Sequence, residues 1–542
     1  MRFTQTALTS IDSYKLGHAA QYPEGTTKVY SNFTPRSSKH YAGDADYIVW
    51  FGLQAFLDEL VSVWQETFFD QPVEVVTSEF AATVAPFCGP NGFDVSRLVQ
   101  LHKLGYLPLE IKALPEGSRV NIGIPVLTIT NTVPETFWLP NFLETWMSAE
   151  LWKPSTSATV AYQYRTLINH YAQETGGSSL FTQWQAHEFS PRGMSGIADA
   201  AKSGAGALLS TTGSDNIPAL KLVNDVYNGK ATFVSGSVPA TEHSVMCAGG
   251  KANEVETFRR LINLYPSGVL SIVSDTWDYW KVISKTAAEL MSEILARTPD
   301  EFGNAKIVFR PDSGDPVKII TGYDVLDYVY SYKVDDSIAK LISNNSLDEY
   351  SAVAVVQPDG SHEYYEITSQ GLGKHLSREE VLGSVEVLAA IFGATENEKG
   401  YRTLNPRVGL IYGDSITLER AERILSRLKK FGWASDNIVF GIGSYTFQYV
   451  TRDTFGFAMK ATYVEVNGYG QAIFKDPKTD DGGKRSAKGL LKVEGMSGDY
   501  RLVNDCSREQ EASGCLRTVF KNGVITLRES FDTIRQRLGV QS

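Results

Sequence analysis

Ala231-Thr-Phe-Val-Ser-Gly-Ser-Val-Pro-Ala-Thr-Glu-His-Ser244 is the stretch on which the reading of this chain turns. Its apolar run, 231–234, is β-branched and aromatic and stops at Gly and Pro, which predicts a buried strand. Pro239 suits the start of a helix and so puts Glu242 and His243 in its first turn. The positive field there favours a neutral, nucleophilic imidazole. A single histidine beside one glutamate is also what a surface loop offers, so the stretch needs company.

Company comes from the same pattern repeated. Apolar runs end in polar or Gly-rich punctuation at His187-Glu-Phe-Ser-Pro-Arg-Gly193, at Gly213-Ser-Asp215 after the short Ala207-Leu-Leu209, and at Ser274-Asp275 after Leu270-Ser-Ile-Val273. They do so again at Arg310-Pro-Asp-Ser-Gly314, at Tyr412-Gly-Asp414 and at Gly441-Ile-Gly-Ser444. From the 231 run to the 270 run is about 39 residues, the next step is about 37 and the final one about 30, the cadence of β/α units. The fold class predicted is α/β: a (β/α) barrel-like domain over 156–454, with a discontinuous α+β sheet domain from 1–155 and 455–542. One gap of about 100 residues holds a predicted hairpin and a capping box, Ser377-Arg-Glu-Glu380, and is read as an insertion at about 333–395.

Outside the barrel, Lys28-Val-Tyr-Ser-Asn-Phe33 predicts a strand, and Leu53, Phe56, Leu57, Leu60 and Trp64 recur at helical spacing. A second helix is predicted from about 158 to 174, ending at Gly176-Gly177. Asn467-Gly468 and Asn522-Gly523 predict hairpin turns in the C-terminal region.

The 542 residues, 42% apolar and 21% charged, are ample for a large core. A net charge of −11 argues against a nucleic-acid partner held by bulk attraction, while leaving room for local basic pockets. No apolar run has the length of a membrane span, and the four cysteines have neither metal-ligand spacing nor the density of a disulfide framework. A soluble, cytoplasmic protein is expected.

In a barrel of this kind the residues just past the strand ends form the active face. Here they are Phe189, Arg192, Asp215, His243, Asp275, Arg310, Asp312, Gly413 and Asp414. Arginines and bare backbone suit phosphate, whereas carboxylates suit ribose hydroxyls or a magnesium-bound diphosphate. Displacement of diphosphate from a sugar would need these parts.

These motifs, with Asp12-Ser-Tyr-Lys15, Thr451-Arg-Asp453 and Lys475-Asp-Pro477, resemble those of the nicotinamide phosphoribosyltransferases, a type II phosphoribosyltransferase family. The resemblance covers nearly the whole chain except the insertion. It implies that nicotinamide and phosphoribosyl diphosphate, with Mg²⁺, give nicotinamide mononucleotide and diphosphate in NAD salvage. It also implies a homodimer with shared sites. Phe189 would stack on one face of the pyridine and Tyr14 of a second subunit on the other, with Arg310 also bordering the base. Asp215 would accept a hydrogen bond from the amide NH₂ and repel nicotinate. Arg192, Arg310, Gly413, Asp414, Gly443 and Ser444 would hold ribose and its 5-phosphate, joined by Asp12 and Ser237, and Asp312 would contact ribose hydroxyls. Arg36, Arg452, Lys460 and Lys475 would surround diphosphate. His243 would be phosphorylated by ATP, with Asp275 and Glu242 orienting its ring. Gly443-Ser444-Tyr445 departs from the family's longer glycine run, and no metal ligands from the protein are read.

Other readings are a nicotinate phosphoribosyltransferase, which Asp215 opposes, and a non-catalytic sugar-phosphate-binding protein, in which His243 would be superfluous. A metal-dependent barrel hydrolase would need a tight ligand cluster that the sequence lacks.

Overall fold

The computed structural model describes residues 5–89, 94–343, 347–413, 415–475 and 487–540. Among them five strands pair side by side, all parallel, in the order Ala186–Glu188, Ile438–Ile442, Val408–Tyr412, Ile307–Arg310 and Leu270–Val273. All but the first, Ala-His-Glu, are largely apolar, as strands covered on both faces are. Single parallel bridges, Glu188 to Ser214, Gly213 to Gly236 and Ala240 to Ser271, carry the pairing from the first strand round to the last. The circuit therefore closes through two short segments, and the strand ends gather at one mouth.

Two expected strands are absent. Ala231 closes a 3-10 turn, Gly229–Ala231, the residues after it form no strand, and Phe233 is 64% exposed. Ala207 closes the helix Ile197–Ala207 instead of starting a strand. The cause is remote. Arg535, buried in the C-terminal helix Phe531–Leu538, donates to the carbonyls of Leu208, Thr211, Phe233 and Val234, which a strand ladder would otherwise use.

The other large sheet is antiparallel, in the order Tyr469–Ala472, Ala458–Val466, Thr26–Thr34, Leu127–Asn131, Leu109–Ala113, Arg517–Lys521, Val524–Ile525. It interleaves N- and C-terminal segments. Both predicted hairpin turns form, with Asn467 and Asn522 and their glycines all at positive φ, as this turn type requires. Phe33, Trp50, Trp64 and Phe455 fill the core beside this sheet, while Ile272, Phe309, Leu410, Phe440 and Trp433 fill that of the barrel. Phe51, Ala158, Leu208, Tyr227 and Phe531 pack as a third cluster between them.

The helix expected from about 158 runs from Leu139 to Thr175, with Pro154 inside it, and ends at Gly176 with φ 70°. Within the gap, Asp324–Tyr330, Ser351–Val356, His362–Thr368 and Gly371–Leu376 form a four-stranded sheet. The Ser377–Glu380 capping box is present in both directions; the helical stretch Arg378–Phe392 breaks at Gly383, where φ is 74°, and its second part sends Val385, Leu388 and Phe392 into the barrel core. No helix among the described residues is long and apolar enough to cross a membrane.

Candidate active site

At the mouth of the barrel, Phe189 continues the first strand, its N–H bonded to the Ile442 carbonyl at 2.9 Å. The Asp215 N–H bonds the Glu188 carbonyl at 3.1 Å, so the two residues stand on neighbouring strand ends. His187 joins them: its Nε2 lies 3.0 Å from Asp215 Oδ1, and its ring centroid lies 4.6 Å from that of Phe189. The Ser237 hydroxyl donates to the same Asp215 oxygen. Burial pushes the Asp215 carboxyl up, but the bonds from His187 and Ser237, helped by Arg310, hold it below the usual aspartate range.

Glu188 points the other way and is buried. Its carboxylate accepts from the Ser190 N–H at 2.9 Å, the Ser190 hydroxyl and the Ser214 hydroxyl, tying together the loops that carry Arg192 and Asp215. Burial raises its carboxyl above the usual range against those bonds.

Arg310 ends its strand with Nη2 2.5 Å from the Thr241 carbonyl, while its buried Nε has no hydrogen-bond partner. Burial lowers its guanidinium, opposed by Asp312, Asp215 and Asp275 and reinforced by Arg192. A desolvated cation with a spare donor, ringed by carboxylates and a second arginine, is suited to an anionic ligand. Gly413 is bare backbone beside it: a Cβ there would lie 3.1 Å from Asp312 Oδ1. Gly443 opens on free space, and Ser444 abuts Gly193 where any side chain on Gly193 would collide with it. Asp414 lies outside the described residues.

His243 opens the helix His243–Gly249 and is 47% exposed on its side chain. Its Nδ1 lies 3.2 Å from the Thr276 hydroxyl, and its Nε2 lies 3.7 Å from Asp275 and 3.9 Å from Asp312. Asp275 Oδ2 is occupied by the Asp312 N–H at 2.9 Å and the Ser313 hydroxyl at 2.7 Å, leaving Oδ1, buried and unbonded, toward the histidine. Glu242 is the N-cap residue rather than a first-turn one, and its carboxylate accepts from Ser244, not from the ring. Thr276, His187 and Glu188 were not among the residues singled out from sequence. The contacts of His187 and Thr276, and that of Glu188 with Ser214, cross between strands, so no local pattern marks them.

A second group stands on the antiparallel sheet. Arg36 bonds the Gly456 carbonyl at 3.1 Å and is lowered by burial and by Arg452, which itself bonds Asp453 at 3.1 Å. Lys460 is lowered by burial and by Arg36, Lys15 and Lys475, with Glu144 opposing. Five cations, Arg36, Arg452, Lys460, Lys15 and Lys475, crowd this patch with Glu144 paired to Lys15, a setting suited to an anionic ligand. Asp12 accepts from the Thr145 hydroxyl at 2.7 Å. Tyr14 is 61% exposed on the neighbouring N-terminal turn, edge-on to His18. Residues 476–486, with most of the basic loop, lie outside the described residues. Among the described residues no group of three or more His, Cys, Asp or Glu side chains is arranged to hold a metal.

Residues 184–524 match the nicotinate phosphoribosyltransferase (NAPRTase) family, and residues 6–111 match the nicotinamide phosphoribosyltransferase N-terminal domain. A nicotinamide phosphoribosyltransferase of Acinetobacter baylyi is 49% identical over 546 aligned positions, covering 100% of this chain and 98% of that protein. Two solved structures share the fold at 14% identity. A nicotinate-nucleotide pyrophosphorylase from Pyrococcus furiosus has a TM-score of 0.53 over 99% of this chain and 97% of its own. Human nicotinic acid phosphoribosyltransferase has a TM-score of 0.50 over 97% and 92%. The barrel-mouth arrangement thus sits in a chain that belongs to the nicotinate phosphoribosyltransferase family, among its nicotinamide phosphoribosyltransferases.

Proposed function

We propose that this enzyme transfers the phosphoribosyl group of phosphoribosyl diphosphate to nicotinamide, giving nicotinamide mononucleotide and diphosphate, the entry step of NAD salvage. One observation carries the choice of base: a carboxylate, Asp215, stands beside Phe189 with one oxygen already bonded twice and the other open. Such an acceptor suits an amide NH₂ and opposes a nicotinate carboxylate.

With the pyridine on Phe189, its ring nitrogen lone pair forms the bond to C1 of the ribose. The C1–O bond breaks, and its electron pair leaves with diphosphate. Arg310 and Arg192 take phosphate charge, with the bare backbone of Gly413 and Gly443 close by. Asp312 receives ribose hydroxyls and stabilises the cationic sugar of the transition state. Magnesium would enter with the diphosphate substrate, and Asp312 and the unbonded oxygen of Asp275 would be the hard donors within its reach. Arg36, Arg452, Lys460 and Lys475 serve the leaving group. ATP phosphorylates His243, with Asp275 facing the ring, and hydrolysis of that phosphohistidine is coupled to turnover. The exposed Tyr14 fits a homodimer in which Tyr14 from a second copy closes the base pocket.

The test is a steady-state assay with phosphoribosyl diphosphate and Mg²⁺, comparing nicotinamide with nicotinate, with and without ATP. Mononucleotide from the amide alone and an ATP-dependent gain are expected. Turnover of nicotinate in preference would overturn the role given to Asp215, and indifference to ATP would overturn that given to His243.

A further inference from the structure

Both hydrogen bonds that fix Asp215 fall on one oxygen. His187 Nε2 reaches Oδ1 at 3.0 Å, and Ser237 donates to the same atom. Because an ionised carboxylate only accepts, the His187 proton sits on Nε2. His187 is also in ring contact with Phe189, at 4.6 Å and 43°, and has little exposed surface. Behind it Gly213 leaves room for the imidazole: a Cβ on Gly213 would lie 2.7 Å from His187 Nδ1. One imidazole therefore braces the aromatic wall of the base pocket and the carboxylate that reads the base.

We propose that His187 is the positioning residue that sets the choice of amide over acid, by holding Asp215 through Oδ1 with Oδ2 turned to the base. The idea rests on the reading of Asp215 given above. Without the His187 bond, two things change. The carboxylate rotates more freely about its remaining bond to Ser237, so Oδ2 no longer stands in one place for an amide NH₂. Burial, which pushes this carboxyl up, is also less opposed, and a protonated Asp215 would tolerate a nicotinate carboxylate by donating to it. Both changes narrow the gap between the two bases. Neither reaches the cations around Lys460.

The experiment measures kcat/KM for nicotinamide and for nicotinate in the wild-type enzyme, in H187L, in H187Q, whose amide can still donate to Oδ1, and in D215N with and without H187L. The expected H187L result is a fall of about tenfold or more in the amide-to-acid ratio, the scale of one hydrogen bond to a charged group. KM for phosphoribosyl diphosphate is unchanged, H187Q keeps a ratio near that of the wild type, and H187L adds nothing in the D215N background. If H187L does not fold, H187N, polar but too short to reach Oδ1, makes the same comparison. An unchanged ratio, or an equal fall in the D215N background, overturns the proposal. A wild-type enzyme that makes no mononucleotide from nicotinamide defeats the parent reading, whereas normal nicotinamide use with an unmoved ratio defeats only this inference.

Discussion

Gly441 and Phe189 are in contact that leaves no room for a side chain: a Cβ on Gly441 would lie 2.6 Å from Phe189 Cδ2 and 2.7 Å from the Gly413 Cα. The strand Ile438–Ile442 thus supplies the floor under the ring and meets the neighbouring strand end at the same point. G441A must displace either the ring or the Gly413 backbone. Overpacking of this kind costs on the order of 1–3 kcal/mol, so KM for nicotinamide should rise about tenfold while the fold persists. Steady-state kinetics with circular dichroism as a control checks this, and an unchanged KM would mean that Phe189 does not wall the base.

The parallel strands at 270, 307, 408 and 438 were legible because strands buried on both faces are written as unbroken apolar runs. The segments at 213–214 and 236–240 were not, because they pair by single bridges and their neighbouring carbonyls are claimed by Arg535 from the far end of the chain. The helix expected from about 158 was too short at its start. It begins at Leu139 and runs for 37 residues through Pro154, a residue type that usually interrupts a helix. At the mouth, the strand-end residues could be collected from punctuation alone. The His187–Asp215 and His243–Thr276 contacts depend on which strands are neighbours and in what register, and only the fold states that.

Glu116 makes stability depend on pH. Its carboxylate is fully buried against the N-terminus of the helix Leu53–Trp64, accepting from the backbone of Gly52, Leu53 and Gln54 and from the Tyr227 hydroxyl. Burial pushes it up to about 7 against those bonds. An unfolded glutamate loses its proton near 4.3, so between about pH 4.3 and 7 the folded state binds more protons than the unfolded one. Stability then falls as pH rises through that window, by on the order of 3 kcal/mol. In E116Q this dependence should flatten, so the wild-type advantage in Tm at about pH 5 shrinks or reverses by about pH 8. Parallel Tm profiles of the two proteins would refute the assignment.

Lys460 should show a trade between stability and function. Its amine is lowered by burial and by the charges of Arg36, Lys15 and Lys475, which Glu144, paired with Lys15, opposes only in part. K460M is expected to raise Tm slightly and to raise KM for phosphoribosyl diphosphate about tenfold, the scale of one charge-assisted contact. Added salt should narrow the KM difference, since screening weakens both effects. A fall in Tm with KM unmoved would show that Lys460 only packs.

Arg427 ties the inserted sheet to the barrel. It is buried on the helix Leu418–Lys430, with Nε 2.8 Å from the Thr321 hydroxyl, Nη2 3.0 Å from the Gly322 carbonyl and Nη1 2.6 Å from Asp324, the first residue of the sheet's edge strand. The guanidinium also lies 4.6 Å from the Tyr350 ring centroid. Replacing it with methionine keeps most of the packing but leaves a half-buried carboxylate with only Lys430, at 2.6 Å, and strands two oxygens that had donors. Breaking a buried pair from one side costs about 3–5 kcal/mol. R427M should therefore lose roughly 3 kcal/mol in urea unfolding, Lys430 retaining part of the pairing, and the loss should begin in the sheet. Hydrogen exchange locates it: amides of Ser351–Val356 should lose protection before those of Leu270–Val273. Equal loss in both would mean that the sheet and the barrel unfold as one unit and that Arg427 is not the tie between them.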